Sequence, residues 1–228
     1  MTKTILKATN IKKYFSSGND TVRAVDDVSF EAIKGEFLTI TGRSGCGKTT
    51  LLNLLGGLEI PDSGQIEILD QNYDDFDQDQ LTVFRRNNIG YIFQSYNLLE
   101  ILNVRDNILL PLGLQKSALD TDFFNEIVTT LCIKEKLTKK ITTLSGGEQQ
   151  RIAIARALIT RPVMILADEP TGNLDSNTGH EVLGLLKETS KKWKQLIVMV
   201  THDQEIANMS DRTIHMSNGK ITQIFQNR

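Results

Sequence analysis

Short apolar runs alternate along the chain with stretches of helical periodicity. Phe37–Thr41 (FLTIT), residues 163–167 (VMILA) and Leu196–Thr201 (LIVMVT) are rich in β-branched residues and bounded by polar ones. That is the pattern of strands buried on both faces. Helical patterns follow each: Lys48–Leu55, roughly residues 178–192, and a short one after Asp203. Such alternation predicts an α/β fold, a mostly parallel sheet with crossover helices. The first ~30 residues and residues 64–69 (GQIEIL) instead alternate apolar with polar positions, with turn residues at 17–20 (SGND) and 61–64 (PDSG). They predict an antiparallel β subdomain. Residues 95–160 carry no strand pattern, and helices are expected over 98–114, over 122–131 and from Gly146 onward. This reads as a helical insert between the two halves of the sheet. The acidic stretch 70–80 reads as a solvated loop and helix start. One domain over 1–228 is expected, with a catalytic core of about 1–94 and 161–228 and a helical part of about 95–160.

The first strand–helix junction carries chemistry. Gly42, Arg43, Ser44, Gly45, Cys46, Gly47, Lys48 and Thr49 fit G-x-x-x-x-G-K-[ST], after a predicted strand and at the start of a predicted helix. The three glycines let the backbone curl so that successive N–H groups face phosphate oxygens. The helix starting near Lys48 adds the positive end of its dipole. Lys48 is placed for the β- and γ-phosphates, and Thr49 for a magnesium ion. Thr50, next on the helix, joins the candidate binding residues. The loop predicts binding of ATP or GTP.

A second junction supports this. The apolar run 163–167 ends in Asp168-Glu169-Pro170, and functional groups in open α/β sheets gather at the carboxyl ends of strands. Asp168 is expected at the metal, and Glu169 is expected to orient or deprotonate the attacking water.

A third feature has no use in a single-site reading. Ser145 and Glu148 have capping-box spacing before the apolar positions Ile152, Ala155, Leu158 and Ile159. Between them stand Gly146 and Gly147, each costing a helix about 1 kcal/mol against alanine. Bare glycines let an anion approach the free N–H groups. So this turn looks like a second phosphate-binding end, about 100 residues from the first.

Composition narrows the classes. The 228 residues are 39% hydrophobic and 24% charged, with net charge −2, so nothing draws the whole chain toward nucleic acid, and none is expected as partner. Cys46 and Cys132 form no ligand cluster, and a reducing compartment suits them. The first residues lack the pattern of a signal peptide, and no run reaches the ~18–20 apolar residues of a membrane-spanning helix. Action at a membrane is expected from the side, through a partner.

Taken together, GRSGCGKTT, LSGGEQQR, ILADEPTGNLD and VMVTHD resemble the ATP-binding subunits of ABC transporters over nearly the whole chain. The resemblance implies the P-loop NTPase fold of these ATPases, with ATP and Mg²⁺ as ligands. It places Tyr14 at an aromatic that stacks on adenine and Gln94 at a loop glutamine that touches Mg²⁺ and senses the membrane partner. Asp175 falls at the D-loop, and His202 at a switch histidine on the γ-phosphate. It makes Lys48, Glu169 and His202 the catalytic set, and Thr49, Gln94 and Asp168 the metal set. It also implies a head-to-tail dimer, in which Ser145, Gly146 and Gly147 of one copy close on ATP held by the other. An integral membrane permease is the other implied partner, with the chain at the cytoplasmic face of the membrane. Residues 51–58, residues 89–112 and GNLD are similar to the branch of lipoprotein-release, macrolide-efflux and bacitracin-type resistance ATPases. A cell-division-type ATPase acting on cell-wall hydrolases through a membrane partner is the alternative. Arg43 and Cys46 depart from the branch, where smaller residues and serine are usual; the Cys46 thiol is expected beside the nucleotide. Residues 139–143 (KKITT) lack its usual proline and histidine.

Overall fold

The computed structural model describes residues 3–17 and 20–227. Thr4–Ser17 (β1) and Asp20–Ile33 (β2) form an antiparallel ladder. Gly18 and Asn19, in the turn expected between them, lie outside the described residues. Phe37–Thr41 (β3) leads through the glycine-rich loop into Lys48–Leu55 (α1). Ser63–Ile68 (β4) and Gln71–Asn72 (β5) complete a sheet of order β2-β1-β4-β5. Gln78–Asn88 (α2), capped by Asp77, precedes Ile89–Ile92 (β6). The helices Val104–Gln115 (α3), Thr121–Thr130 (α4) and Gly146–Leu158 (α5) follow. The chain then returns as Met164–Asp168 (β7), Ser176–Trp193 (α6), Leu196–Thr201 (β8) and Gln204–Ala207 (α7). It ends in the hairpin Arg212–Ser217 (β9) and Lys220–Gln226 (β10).

The second sheet has the order β10-β9-β3-β8-β7-β6, parallel except at the β10 edge. Its inner strands β3, β8 and β7 are buried on both faces, as their unbroken apolar runs require, whereas the β10 edge is largely exposed. Along β8 the pleat sends Leu196, Val198 and Val200 to a core shared with α1 and the antiparallel sheet. Ile197 and Met199 go to a second core under α3–α6. The alternation within one strand thus joins both layers.

Two expectations need correction. The helix expected over 98–114 begins only at Val104. Asn103 caps it by accepting from the Asp106 N–H at 2.8 Å. Buried Asn107 bonds back to the Leu99 N–H and carbonyl, holding the preceding segment off the helix axis. Apolar Leu98, Leu99, Ile101 and Leu102 suggested a longer stripe, but local side-chain capping wins over periodicity. The acidic stretch 70–80 holds, besides loop and helix start, the short strand β5 and a 3₁₀ turn, Tyr73–Asp75. The latter is anchored by the Tyr73 hydroxyl donating to the Leu55 carbonyl.

Candidate nucleotide site

Four parallel strands deliver the candidate residues to one edge. β3, β8, β7 and β6 are consecutive neighbours in the sheet. Their carboxyl ends lead to the loop 42–47, to His202, to Asp168 and Glu169, and to Gln94. That edge is where an open α/β sheet places its ligands.

The phosphate loop is shaped by close approach. Gly47 has φ +103°, and a Cβ there would lie 1.8 Å from the Ala24 carbonyl oxygen of β2. Gly42 is also confined, with the Met216 carbonyl oxygen 2.3 Å from its would-be Cβ. The loop is therefore squeezed between β2 and the β9–β10 hairpin, and only glycine fits at these contacts. α1 is also the one α-helix among the described residues without a side-chain N-cap. Its first N–H groups stay available to an anion, and no acidic residue occupies its first turn. Buried Lys48 turns its ammonium back over the loop, donating to the carbonyls of Gly42 at 2.8 Å and Arg43 at 3.1 Å. Arg43, Ser44 and Gly45 form the exposed rim, and Thr49 and Thr50 open the helix. The Cys46 thiol is buried beneath the loop, packed toward Gly42. What Cys46 presents is backbone, contrary to a thiol beside the nucleotide.

The Thr49 hydroxyl donates to Asp168 at 3.3 Å across two elements. Burial and the neighbouring Glu169 charge raise the Asp168 pKa, opposed by the Thr49 hydrogen bond and by Lys48. Among the described residues no basic side chain forms an ion pair with it. Nor does any cluster of three or more His, Cys, Asp or Glu offer a complete metal cage. An oxygen pair of one hydroxyl and one carboxylate fits magnesium, which takes few protein ligands and completes its shell with phosphates and water.

Glu169 follows in the left-handed region, φ +41°, a conformation that costs a non-glycine residue energy and often marks a functional position. Its backbone N–H is held by the Val200 carbonyl of β8, and its carboxylate lies 3.1 Å from His202 Nδ1. Glu169 and His202 therefore face one another from adjacent strand ends. Gln94 is bound to the segment after Pro170: Asn173 Nδ2 donates to the Gln94 carbonyl at 2.9 Å, and the Gln94 amide covers Gly172. Asp175 caps α6, accepting from the Thr178 N–H; hydrogen bonds to Thr178 lower its pKa.

Tyr14 lies on β1 opposite Arg23, beside the Ala24 carbonyl that touches the loop. Its hydroxyl donates to Asp26 at 2.6 Å.

Ser145, Gly146 and Gly147 lie beside the segment 174–178 rather than against the phosphate loop. The capping box is present in full: Ser145 Oγ accepts from the Glu148 N–H, and Glu148 accepts from the Ser145 N–H. That exchange leaves over the N–H groups of Gly146 and Gly147, which have no helical carbonyl behind them. Atoms nearest a Cβ at Gly146 or Gly147 come from Tyr96, Leu174 and Thr178, none from the phosphate loop. The structure thus brings the glycine-rich loop together with Asp168 and Glu169, while the Ser145–Gly147 turn meets Tyr96, Leu174 and Thr178 instead.

Several participants escaped the sequence reading. Asp26, Tyr96 and Arg156 carry no motif; Arg156 donates to the carbonyls of Tyr96 and Asn97 and pins the segment after Gln94 to α5. Asn218-Gly219 could have been found, since Asn-Gly between alternating runs is a strong hairpin signal.

Known proteins resemble this chain over nearly its whole length. Residues 25–172 match the model of the family described as ABC transporter. The chain is 36% identical over 225 residues to the lipoprotein-releasing system ATP-binding protein LolD of Acinetobacter baylyi, covering 96% of this chain and 97% of that one. It is 41% identical over 220 residues to the bacitracin export ATP-binding protein BceA of Halalkalibacterium halodurans, covering 95% and 87%. Among solved structures, the dimeric post-hydrolysis state of the ATP-binding cassette MJ0796 bound to ADP and Pi superposes with TM-score 0.87. It is 36% identical, and 98% of this chain and 99% of that chain are covered.

Proposed function

The chain belongs to the ABC transporter family as an ATP-binding, ATP-hydrolysing subunit, and on that premise we propose how its residues do the work. The observation that carries the proposal is the facing of Glu169 and His202, 3.1 Å apart, beside the Thr49–Asp168 pair and an uncapped helix end. Lys48 and the loop N–H groups hold the phosphates, and the adenine rests on Tyr14. Thr49 and Asp168, with Gln94, would hold magnesium, which would supply charge neutralisation at the phosphates. Glu169 takes the proton of the attacking water, and His202 orients Glu169 and reaches the γ-phosphate. The division into a core of about 1–94 with 161–228 and a helical part of about 95–160 belongs to the same reading.

Ser145, Gly146 and Gly147 serve a second copy of the chain. Their free N–H groups do not meet the phosphate loop of their own chain, so a head-to-tail partner completes each site. The MJ0796 cassette is itself dimeric with ADP and Pi bound, which supports this reading. Binding of ATP closes the dimer, and hydrolysis opens it.

The motion is passed to an integral membrane subunit. No helix among the described residues is long and apolar enough to cross a membrane. A cleft of about 280 Å³ opens beside Gln94, lined by Tyr91, Phe93, Pro111, Leu114 and Arg156 among others. Ile101, 92% exposed, and Leu99 stand in the segment leading into α3. Apolar exposure of that degree suits a partner surface, and we place the permease there, with the chain on the cytoplasmic face. Lipoprotein release, macrolide export and bacitracin export, named for similar proteins, are the tasks this motion would serve. Ile101→Glu should abolish co-purification with the permease while leaving ATP-dependent dimerisation intact; retained co-purification would move the permease elsewhere.

A further inference from the structure

β2 does not keep its alternation. From Val28 to Ile33 every second residue is buried, but Val25 and Asp26 are buried in succession, with Asp27 exposed at φ +63°. The ladder slips there by one residue, from Ile11 paired with Val28 to Lys12 paired with Asp26. Asp27 is thus the extra residue of a β-bulge, and bulges re-aim the side chains beside them. The residue re-aimed is Asp26, a carboxylate only 7% exposed.

Asp26 is fully engaged. It accepts from the Tyr14 hydroxyl at 2.6 Å. Lys220 Nζ lies 3.3 Å and Arg23 NH1 3.7 Å from its other oxygen. Its backbone N–H donates to the Gly219 carbonyl at 2.8 Å, and the Gly219 N–H donates to the Cys46 carbonyl at 3.0 Å. Asn218 and Gly219 form the turn of the β9–β10 hairpin, both at positive φ. A Cβ at Gly219 would lie 2.6 Å from the Arg23 carbonyl oxygen, so glycine alone lets the hairpin tip sit against β2. An unbroken line of hydrogen bonds runs from the Tyr14 phenol through Asp26 and Gly219 to the phosphate loop. In keeping with this geometry, the Asp26 hydrogen bond raises the Tyr14 pKa, and the same bond lowers that of Asp26.

We propose that Asp26 is a positioning residue for the nucleotide base: it fixes the Tyr14 ring and, through the Asn218–Gly219 turn, sets its distance from the phosphate loop. This rests on the reading that adenine meets Tyr14. A freely rotating tyrosine on a half-exposed strand would lose rotamer entropy when a base arrives, whereas a tethered ring is already placed. Its partners are Tyr14, Lys220 and Arg23, so its effect on the base is relayed by the Tyr14 ring.

The test compares ATP with inorganic tripolyphosphate, which offers the loop its phosphates without a base. Tyr14→Phe and Asp26→Ala should each weaken ATP binding roughly fivefold. The double variant should lose no more than one of them, and Asp26→Asn, which keeps an acceptor oxygen, should recover most of the loss. KM for ATP should rise while kcat stays near wild type, and tripolyphosphate affinity should not move. Equal losses for ATP and tripolyphosphate, or additive losses, would overturn the proposal, because Asp26 would then act on the loop rather than the ring. Should Asp26→Ala fail to fold, Tyr14→Phe decides: unchanged ATP affinity overturns it. Tyr14→Ala separates the two claims. If it leaves ATP affinity intact, adenine does not meet Tyr14 at all; if it weakens ATP while Tyr14→Phe does not, the stacking stands and the Asp26 tether falls.

Discussion

Thr49 and Asp168 stand 119 residues apart in sequence and 3.3 Å apart in the fold, hydroxyl to carboxylate. The pair exists because β3 and β7 flank β8, which brings the start of α1 beside the end of β7.

Asp168 gives up stability for this placement. Its folded pKa is raised, chiefly by burial, so the folded state holds the proton more tightly than the unfolded chain does. Stability from this group is complete below the unfolded carboxylate range and is lost as pH rises through the elevated value. At neutral pH the charged form is a burden to the nucleotide-free protein. Asp168→Asn keeps an acceptor for Thr49 and removes the charge. Thermal denaturation without nucleotide should show a rise on the order of 2 °C at pH 7, shrinking toward acid pH, while magnesium-dependent ATPase activity is lost. A lowered melting temperature at pH 7 would contradict this.

Gly45 and Gly47 share positive φ but not surroundings. At Gly45 a Cβ meets nothing within 4 Å, whereas at Gly47 it would lie 1.8 Å from a backbone oxygen. Gly45→Ala should cost about 1 kcal/mol from backbone strain alone. Gly47→Ala should cost clearly more and abolish ATP binding, because β2 or the loop must move. Paired denaturation curves check the ranking.

The motifs were legible because each is local. The phosphate loop, the Asp168-Glu169 pair and the Ser145–Glu148 capping box each depend on a few consecutive residues, and their strands and helices followed within a residue or two. Asp26 was not legible, since its inward turn depends on a bulge in a ladder and on a hairpin almost 200 residues later. Periodicity alone extends α3 back to residue 98, but buried Asn107 binds Leu99 from within that apolar stripe. Position in the loop suggests a Cys46 thiol beside the nucleotide; only the fold shows it turned under Gly42.

The cysteines therefore separate by accessibility. Cys132 is exposed and Cys46 is buried. One equivalent of maleimide should react quickly, at Cys132, and leave ATP affinity unchanged. Cys46 should react only on the timescale of unfolding. Equal labelling rates at both, read by mass spectrometry of peptides, would place the Cys46 thiol at the surface.

His202 should matter through Glu169. His202→Ala should lower kcat by about 10²-fold or more with KM for ATP little changed, as expected for a group acting on the chemical step. A raised KM with normal kcat would assign it to ground-state binding instead.

The central claim is that two copies close on ATP and that Glu169 then drives hydrolysis. The direct measurement is the mass in solution of Glu169→Gln with ATP and with ADP, by light scattering, alongside its turnover. The account predicts a dimer retaining unhydrolysed ATP, no such dimer with ADP, and a turnover reduced by about 10²–10⁴-fold. A Glu169→Gln protein that stays monomeric with bound ATP, or that hydrolyses it at the wild-type rate, would contradict it.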